Sequence, residues 1–189
     1  MDSINQMGIS HLANNPDLYE IQRTNNAIFV VTGVDNITNI GKDDGSTIPN
    51  VADVLKYSVI SFPTPTFSQS PIEIRRGNSV MRAAGTPSFN QGNITVRDYI
   101  GADSMSALMS WQALSYNPRT DTVGRMKDYK KTCYVIEYDV DQTTVVRTWT
   151  LYGCWVTGIS DDGFDISQGN EKTITANISY DRAIMDLPD

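Results

Sequence analysis

Hydrophobic residues, mostly aromatic and β-branched, are dense along residues 133–140 and 145–156, and this pattern predicts two antiparallel strands. The sequence DQTT between them has the composition of a turn. If residue 140 lies opposite residue 145, one face carries mostly apolar pairs, namely Tyr138/Arg147, Ile136/Trp149 and Tyr134/Leu151. We therefore predict that this mostly apolar face packs against the core. The opposite face is mixed and carries Cys133, Val135, Glu137, Asp139, Val146, Thr148, Thr150 and Tyr152.

Shorter alternating stretches predict further strands before and after this hairpin. They lie at residues 26–32, 57–62, 93–99 and 172–181, the last with Ile174, Ala176, Ile178 and Tyr180 pointing inward. Two more strands, at residues 71–76 and 79–84, flank Gly77 and Asn78. Both of these residues tolerate the positive φ that a tight hairpin turn requires. The pattern therefore predicts a mainly β domain.

One helix is predicted over residues 103–116, where apolar residues recur at helical spacing. Asp103 or Ser104 is a suitable N-cap, and Asn117-Pro118 ends the helix. A single helical turn is predicted at residues 51–55. The resulting organisation is an N-terminal arm over residues 1–25, a β domain over residues 26–181 with a long loop at 35–50, and a C-terminal tail over residues 182–189.

Composition limits the function classes. The chain has 189 residues, enough for one domain with a sizeable core, and its net charge is −7. A protein that grips nucleic acid by its phosphates needs a basic surface, so this charge argues against that class. No apolar run approaches eighteen residues, so no membrane anchor is expected. The first twenty residues lack the apolar segment of a secretory signal.

Residues suited to catalysis or metal binding are few. His11, the only histidine, lies in the predicted arm without an evident partner, which favours a surface position over a catalytic role. Cys133 and Cys154 are predicted as two free, packed thiols rather than a disulfide, because the register places Cys133 opposite Tyr152. The acidic stretch DDGFD at residues 161–165 lacks the ligand order of a calcium loop and favours a turn. We therefore predict no enzyme, no cofactor and no metal site.

An ordered series of features extends over most of residues 26–180. It includes IFVV at residues 28–31, PIEIRRGNSVMRAAGTPSFNQGNITV at 71–96, the helix with Trp111 and Gln112, GCWV at 153–156, and the Asn170-Glu171 turn before the last strand. In this series the chain resembles the tail tube proteins of contractile-tailed bacteriophages. It departs from that family in its longer loop at residues 35–50 and in its extended tail beyond Tyr180.

The resemblance implies a small β-barrel or sandwich of antiparallel strands with one flanking α-helix, assembled from six copies into rings. Stacked rings would form the inner tail tube of a virion, assembled in the host cytoplasm, through which double-stranded DNA passes as a transient passenger. Implied partners are further copies of the chain, the sheath protein, the tape measure protein, and baseplate and tail terminator proteins. Three alternatives remain: the tube of a contractile injection or type VI-like secretion apparatus, a tube-like ring at the baseplate end of the tail, and a stand-alone enzyme or small-ligand binder.

Two surfaces are predicted to serve assembly. The basic hairpin tip would contact the next ring, with a solvated turn as the alternative; its residues are Arg75, Arg76, Gly77, Asn78, Ser79, Val80, Met81 and Arg82. The mixed face of the long hairpin is predicted as an assembly or lumen face through Glu137, Asp139, Thr148 and Thr150. Because the chain is net acidic, we expect a net-negative lumen that repels DNA and lets it slide.

Overall fold

The computed structural model describes residues 20–42, 44–161, 163–164, 167 and 169–188. Most of the regular structure in these residues is strand. The strands are β1 (Ala27–Thr32), β2 (Ile37–Thr38), β3 (Thr47–Ile48), β4 (Val59–Ser61), β5 (Phe67–Gln69), β6 (Ile72–Arg76), β7 (Ser79–Ala83), β8 (Pro87–Phe89), β9 (Gly92–Arg97), β10 (Tyr116–Asn117), β11 (Thr122–Val123), β12 (Lys131–Tyr138), β13 (Val145–Asp161), β14 (Thr173–Ser179) and β15 (Arg182–Asp186). The helices are α1 (Val51–Ser58), α2 (Ser104–Ala113) and α3 (Met126–Tyr129).

A curled antiparallel sheet organises the molecule, with strand order β1-β12-β13-β14-β9-β4 and β15 paired to β13. The 17-residue β13 joins two parts of this sheet: its first half pairs with β12 and β15, and its second half pairs with β14. Between the halves lies Gly153, whose φ of 70° is in the left-handed region. We call β1-β12-β13-β15 the first sheet and β13-β14-β9-β4 the second sheet. This antiparallel half-barrel confirms the predicted fold class.

The core lies between the inner faces of the two sheets and the helices α1 and α2. Its side chains come from β1, β9, β12, β13 and β14 as well as from both helices. The four inward residues predicted for the last strand, from Ile174 to Tyr180, are all buried. Phe62 packs against this core, where its ring lies 5.8 Å from that of Phe29. Burial of this apolar surface is the main force holding the sheet in its curled shape.

The register of the long hairpin differs from the prediction by one residue. Cys133 lies opposite Leu151 and Val135 opposite Trp149, with a register shift between Glu137 and Tyr138 next to the turn. Because side chains alternate between the faces of a strand, a slip of one residue exchanges the faces. Cys133 and Val135 are therefore buried in the core. The predicted core residues Tyr134, Ile136 and Tyr138 are half-buried instead, and the first two lie on the other face.

The turn of this hairpin is ordered by the carboxylate of Asp141. It accepts hydrogen bonds from the hydroxyl and backbone N–H groups of Thr143 and Thr144 at 2.7–2.9 Å. These bonds, that from the Thr144 hydroxyl foremost, lower the pKa of Asp141 far below its ordinary value. The turn sets the hairpin register, which the sequence pattern alone did not reveal.

Asp141→Asn is expected to reduce stability at neutral pH, with a difference from the wild type that shrinks in acid. A lowered folded-state pKa means that the ionised carboxylate stabilises the fold above its unfolded pKa of about 3.9, and that this contribution is lost as the pH falls toward the folded-state pKa. Urea unfolding of both proteins between pH 7 and pH 2 measures the difference. A difference independent of pH would contradict this role for the carboxylate.

Both predicted helical segments form helices, with changed lengths. The segment predicted over residues 103–116 is helical over Ser104–Ala113, and the Asp103 carboxylate accepts a hydrogen bond from Ser106 N at 2.8 Å as the N-cap. The single turn predicted at residues 51–55 extends to Ser58 and takes the first two residues of the predicted strand at 57–62. Its buried residues Val51, Leu55 and Ser58 follow helical spacing, which explains the extension.

The ends of the predicted domain also differ in the structure. Arg182–Asp186, predicted within a tail, form β15 and pair with the first half of β13, whose hydrogen-bonding edge would otherwise be unpaired there. The arm predicted over residues 1–25 falls mostly outside the described residues. Its end lies against the long hairpin, where Gln22 Nε2 donates to the carbonyl oxygen of Tyr138 at 2.9 Å. The long loop at residues 35–50 contains the β2–β3 pair.

None of the helices in the described part of the chain has the length and hydropathy to span a bilayer.

Candidate assembly surfaces

The residues considered for chemistry form no reactive group in the described part of the chain. Cys133 and Cys154 are free and buried, and burial followed by contact with the Cys154 thiol raises the pKa of Cys133. A thiol with a raised pKa stays protonated and reacts slowly. Among the described residues, no three His, Cys, Asp or Glu side chains are placed to hold a metal ion. His11 and two aspartates of the acidic stretch, Asp162 and Asp165, lie outside those residues.

The β6–β7 hairpin brings the eight predicted inter-ring residues together at one projecting end of the molecule. Every residue of both strands is exposed, and Gly77 turns the chain with φ of 59°. The strand register divides the side chains between two faces. One face carries Ile72, Ile74, Arg76, Ser79, Met81 and Ala83, and the other carries Glu73, Arg75, Val80 and Arg82. We call them the apolar face and the ion-paired face.

The four residues predicted as one assembly or lumen face do not share a surface. Glu137 lies on the core side, where its carboxylate accepts from Trp149 Nε1 at 3.1 Å and lies 2.9 Å from Arg147 Nε. Thr148 and Thr150 point to the opposite side of the first sheet, and Asp139 lies in the turn. The one-residue register error caused this misgrouping, since it placed all four side chains on the same face.

A polar face of the second sheet was missed by the sequence analysis. It carries hydroxyl and amide side chains from all four strands: Ser61, Asn93, Thr95, Ser160, Thr173, Thr175, Asn177 and Ser179. Its charged member Arg97 is bound to Glu171 at 2.6 Å, and this carboxylate raises the pKa of the guanidinium. The signal was present in the segments NITVR and TITANIS, where Thr, Asn and Ser alternate with buried apolar residues. We call this surface the threonine face.

The second sheet has two free edges in the described part of the chain. β4 pairs with β9 on one side only, and residues 155–161 of β13 pair with β14 on one side only. Unpaired strand edges present rows of backbone N–H and C=O groups that can pair with another chain. Four strands with a polar outer face and two open edges form a unit that further copies can extend into a closed barrel.

Comparison with known proteins identifies the family. The model of the T4-like virus tail tube protein gp19 family matches residues 50–183, which is more than half of the chain. The chain belongs to this family. The resemblance to tail tube proteins of contractile-tailed bacteriophages is thereby confirmed.

Individual relatives agree with this assignment. The tail tube protein gp19 of Enterobacteria phage T4 is 26% identical over 106 residues, which are 55% of this chain and 65% of the T4 protein. The match to its counterpart in Enterobacteria phage T6 has the same identity and extent. The chain thus matches just under two thirds of the length of these tail tube relatives.

Solved structures share the fold at low sequence identity. A chain of the PVC sheath-tube complex, an extracellular contractile injection system in its extended state, is 15% identical with a TM-score of 0.63, and the match covers 96% of this chain and 99% of that one. A chain of the anti-feeding prophage tube terminating cap is 12% identical, also with a TM-score of 0.63, and the match covers 89% and 92%. At these identities the likeness concerns the fold alone.

Proposed function

We propose that six copies of this chain close into a ring and that stacked rings form the hollow inner tube of a contractile tail. The observation that carries the proposal is the second sheet with its two free edges. Pairing β4 of one copy with β13 of the next satisfies both edges in every copy, so a closed ring is favoured over open aggregation. Family membership supports the role, because the family consists of tail tube proteins. The protein acts as a structural component of a virion tail rather than as an enzyme.

The threonine face lines the channel in this proposal. Core side chains and the helices cover the inner face of the second sheet, so the threonine face is the side that remains open for a lumen. The wall is then nearly neutral, because Arg97 is paired with Glu171. The net-negative lumen expected from the overall charge differs from this proposal and stays a prediction. Because the described residues of the threonine face present no unpaired cation, they offer no site for phosphate groups, and double-stranded DNA can pass as a transient passenger.

Outside partners follow from the same role. The sheath protein would surround the tube, the tape measure protein would occupy it, and baseplate and tail terminator proteins would contact its ends. Matches to chains from a sheath-tube complex, a tube terminating cap and a baseplate support such contacts. Assembly in the host cytoplasm belongs to the proposal as well.

The tube of a contractile injection apparatus is the second candidate. It is favoured by the likeness to the PVC chain, which belongs to an extracellular contractile injection system. A specialised ring at one end of the tail is a third candidate function, because one matched chain is a tube terminating cap. Neighbouring genes distinguish a phage tail tube from a secretion tube: sheath and tape measure genes beside this gene would favour the first, and a secretion gene cluster would favour the second.

Sedimentation velocity of the purified full-length protein tests the proposal. We expect rings of six copies and larger multiples of them. The double variant Arg75→Glu/Arg76→Glu is expected to keep six-copy rings but to lose the multiples, because the hairpin tip makes the inter-ring contact. Far-UV circular dichroism checks that the variant monomer is folded. A wild-type protein that stays monomeric at every concentration would contradict the proposal.

A further inference from the structure

Two free thiols, Cys133 and Cys154, lie where the first sheet joins the second. Both belong to the hydrophobic core and are fully buried, one on β12 and the other on β13. Cys154 directly follows Gly153, at which β13 passes from one sheet to the other. The proposed function uses neither thiol. Packing needs only small apolar side chains at these positions, so the sulfur chemistry of the pair calls for a separate account.

The irregular pairing of β12 with β13 brings the two thiols together. Cys133 lies opposite Leu151 and Cys154 opposite Lys131, with a register shift between these pairs, so the two cysteines are diagonal neighbours. The Cys154 thiol donates to the carbonyl oxygen of Leu151 at 3.7 Å, which turns its sulfur toward the residue opposite Cys133. The two thiols contact each other there. They are thus held side by side on one face of the sheet.

We propose that Cys133 and Cys154 form a reversible redox pair, which closes to a disulfide between β12 and β13 under oxidising conditions and locks the junction of the two sheets. The inference is independent of the proposed function. A disulfide between diagonal neighbours requires the strands to approach each other, and at the register shift the ladder is already disrupted and can adjust most easily. The structure shows the reduced form, which a reducing cytoplasm maintains, whereas oxidising surroundings favour the disulfide.

A small disulfide such as oxidised glutathione is the oxidant. The thiolate of one cysteine attacks a glutathione sulfur, a protein–glutathione bond forms, and the glutathione disulfide bond breaks with release of one reduced glutathione. The second thiolate attacks the protein sulfur of this mixed disulfide, which forms the Cys133–Cys154 bond and releases a second glutathione. The proton that each attacking thiol loses ends on the glutathione that leaves. Two protein thiols are thereby oxidised, and one glutathione disulfide is reduced to two thiols.

Burial makes this exchange slow, so the pair is characterised by the position of the equilibrium and not by its rate. The bond would join β12, in the first sheet, to the residue of β13 that directly follows Gly153. It would therefore fix the angle at which the second sheet leaves the first. A crosslink of this kind also restricts the unfolded chain, which adds to the stability of the fold.

Redox equilibrium of the purified full-length protein in buffers of reduced and oxidised glutathione tests the inference. Mass spectrometry without reductant counts the dithiol, the mixed disulfide and the intramolecular disulfide, both in native buffer and in urea. We expect the intramolecular disulfide to have an effective concentration at least about tenfold higher in the folded protein than in the urea-unfolded chain, because the fold holds the thiols together. The same factor stabilises the oxidised fold, so its thermal unfolding midpoint should rise by at least about 3 °C and fall back on addition of dithiothreitol.

The matched controls are Cys133→Ala and Cys154→Ala, since each keeps one thiol. Oxidised glutathione should not raise their unfolding midpoints. Peptide mapping of the wild type without reductant gives the linkage directly, so the test does not depend on how well a variant folds. A lasting mixed disulfide with glutathione in the wild type, or equal effective concentrations in the folded and unfolded protein, would overturn the inference.

Discussion

Replacing Trp111 with alanine is expected to lower the free energy of unfolding by about 3–5 kcal/mol, a large fraction of the stability of an ordinary domain. The side chain is 1% exposed and is the largest of the fully buried ones. It anchors α2 against the core, and its indole N–H donates to the carbonyl oxygen of Tyr129 at 3.2 Å. The substitution would therefore leave a large cavity and remove a part-buried hydrogen bond.

Trp111→Phe is the matched control. It keeps most of the apolar contact but loses the hydrogen bond, so we expect a smaller loss of about 1–2 kcal/mol. Urea denaturation followed by circular dichroism gives both values under conditions that keep the protein monomeric. If Trp111→Ala cost less than about 1 kcal/mol, α2 would contribute little to the fold, contrary to the packing described above.

Gly153→Ala is expected to destabilise the domain by about 2–3 kcal/mol, because an L-residue is strained at φ of 70° and its Cβ would meet another side chain. The added Cβ would lie 2.3 Å from Asp181 Oδ2. That carboxylate is bound to Lys130 Nζ at 2.7 Å, so displacing it would disturb an ion pair. The strain falls at the junction of the first and second sheets.

A double-mutant cycle separates the two causes. In an Asp181→Ala background the steric conflict is absent and the backbone strain remains, so Gly153→Ala should cost less there than in the wild type. Thermal or urea unfolding of the four proteins gives the coupling energy. Equal costs in both backgrounds would show that the close approach to Asp181 does not matter.

The sequence predicted correctly those strands whose apolar residues recur every second position and the helix whose apolar residues recur at helical spacing. The strands around Ile94 and Ile174 and the helix around Trp111 lie where alternation or helical spacing placed them, and the Gly77-Asn78 turn forms the projecting hairpin. The register of the long hairpin depended on hydrogen bonds to Asp141 and on an irregularity next to Glu137, neither of which alternation reveals. One residue of slip was enough to exchange the core face with the outer face.

Long-range pairing accounts for what was missed at the candidate surfaces. β15 forms because the first half of β13 offers it an edge, a condition invisible in residues 182–186 alone. The threonine face is assembled from four strands spread over residues 59–179, and only the strand order β13-β14-β9-β4 brings them together. The hairpin tip could be predicted because a tight turn depends on residues adjacent in sequence. Which side chains share a face of the hairpin depends on the register between β6 and β7, which the structure provides.

Electron cryomicroscopy of the assembled, purified protein tests the central claim most directly. We expect six-fold rings stacked around an open channel, with β4 of each copy paired to β13 of its neighbour and Thr95 and Thr175 facing the lumen. Rings in which the first sheet lines the channel, or a protein that remains a monomer at high concentration, would contradict the account.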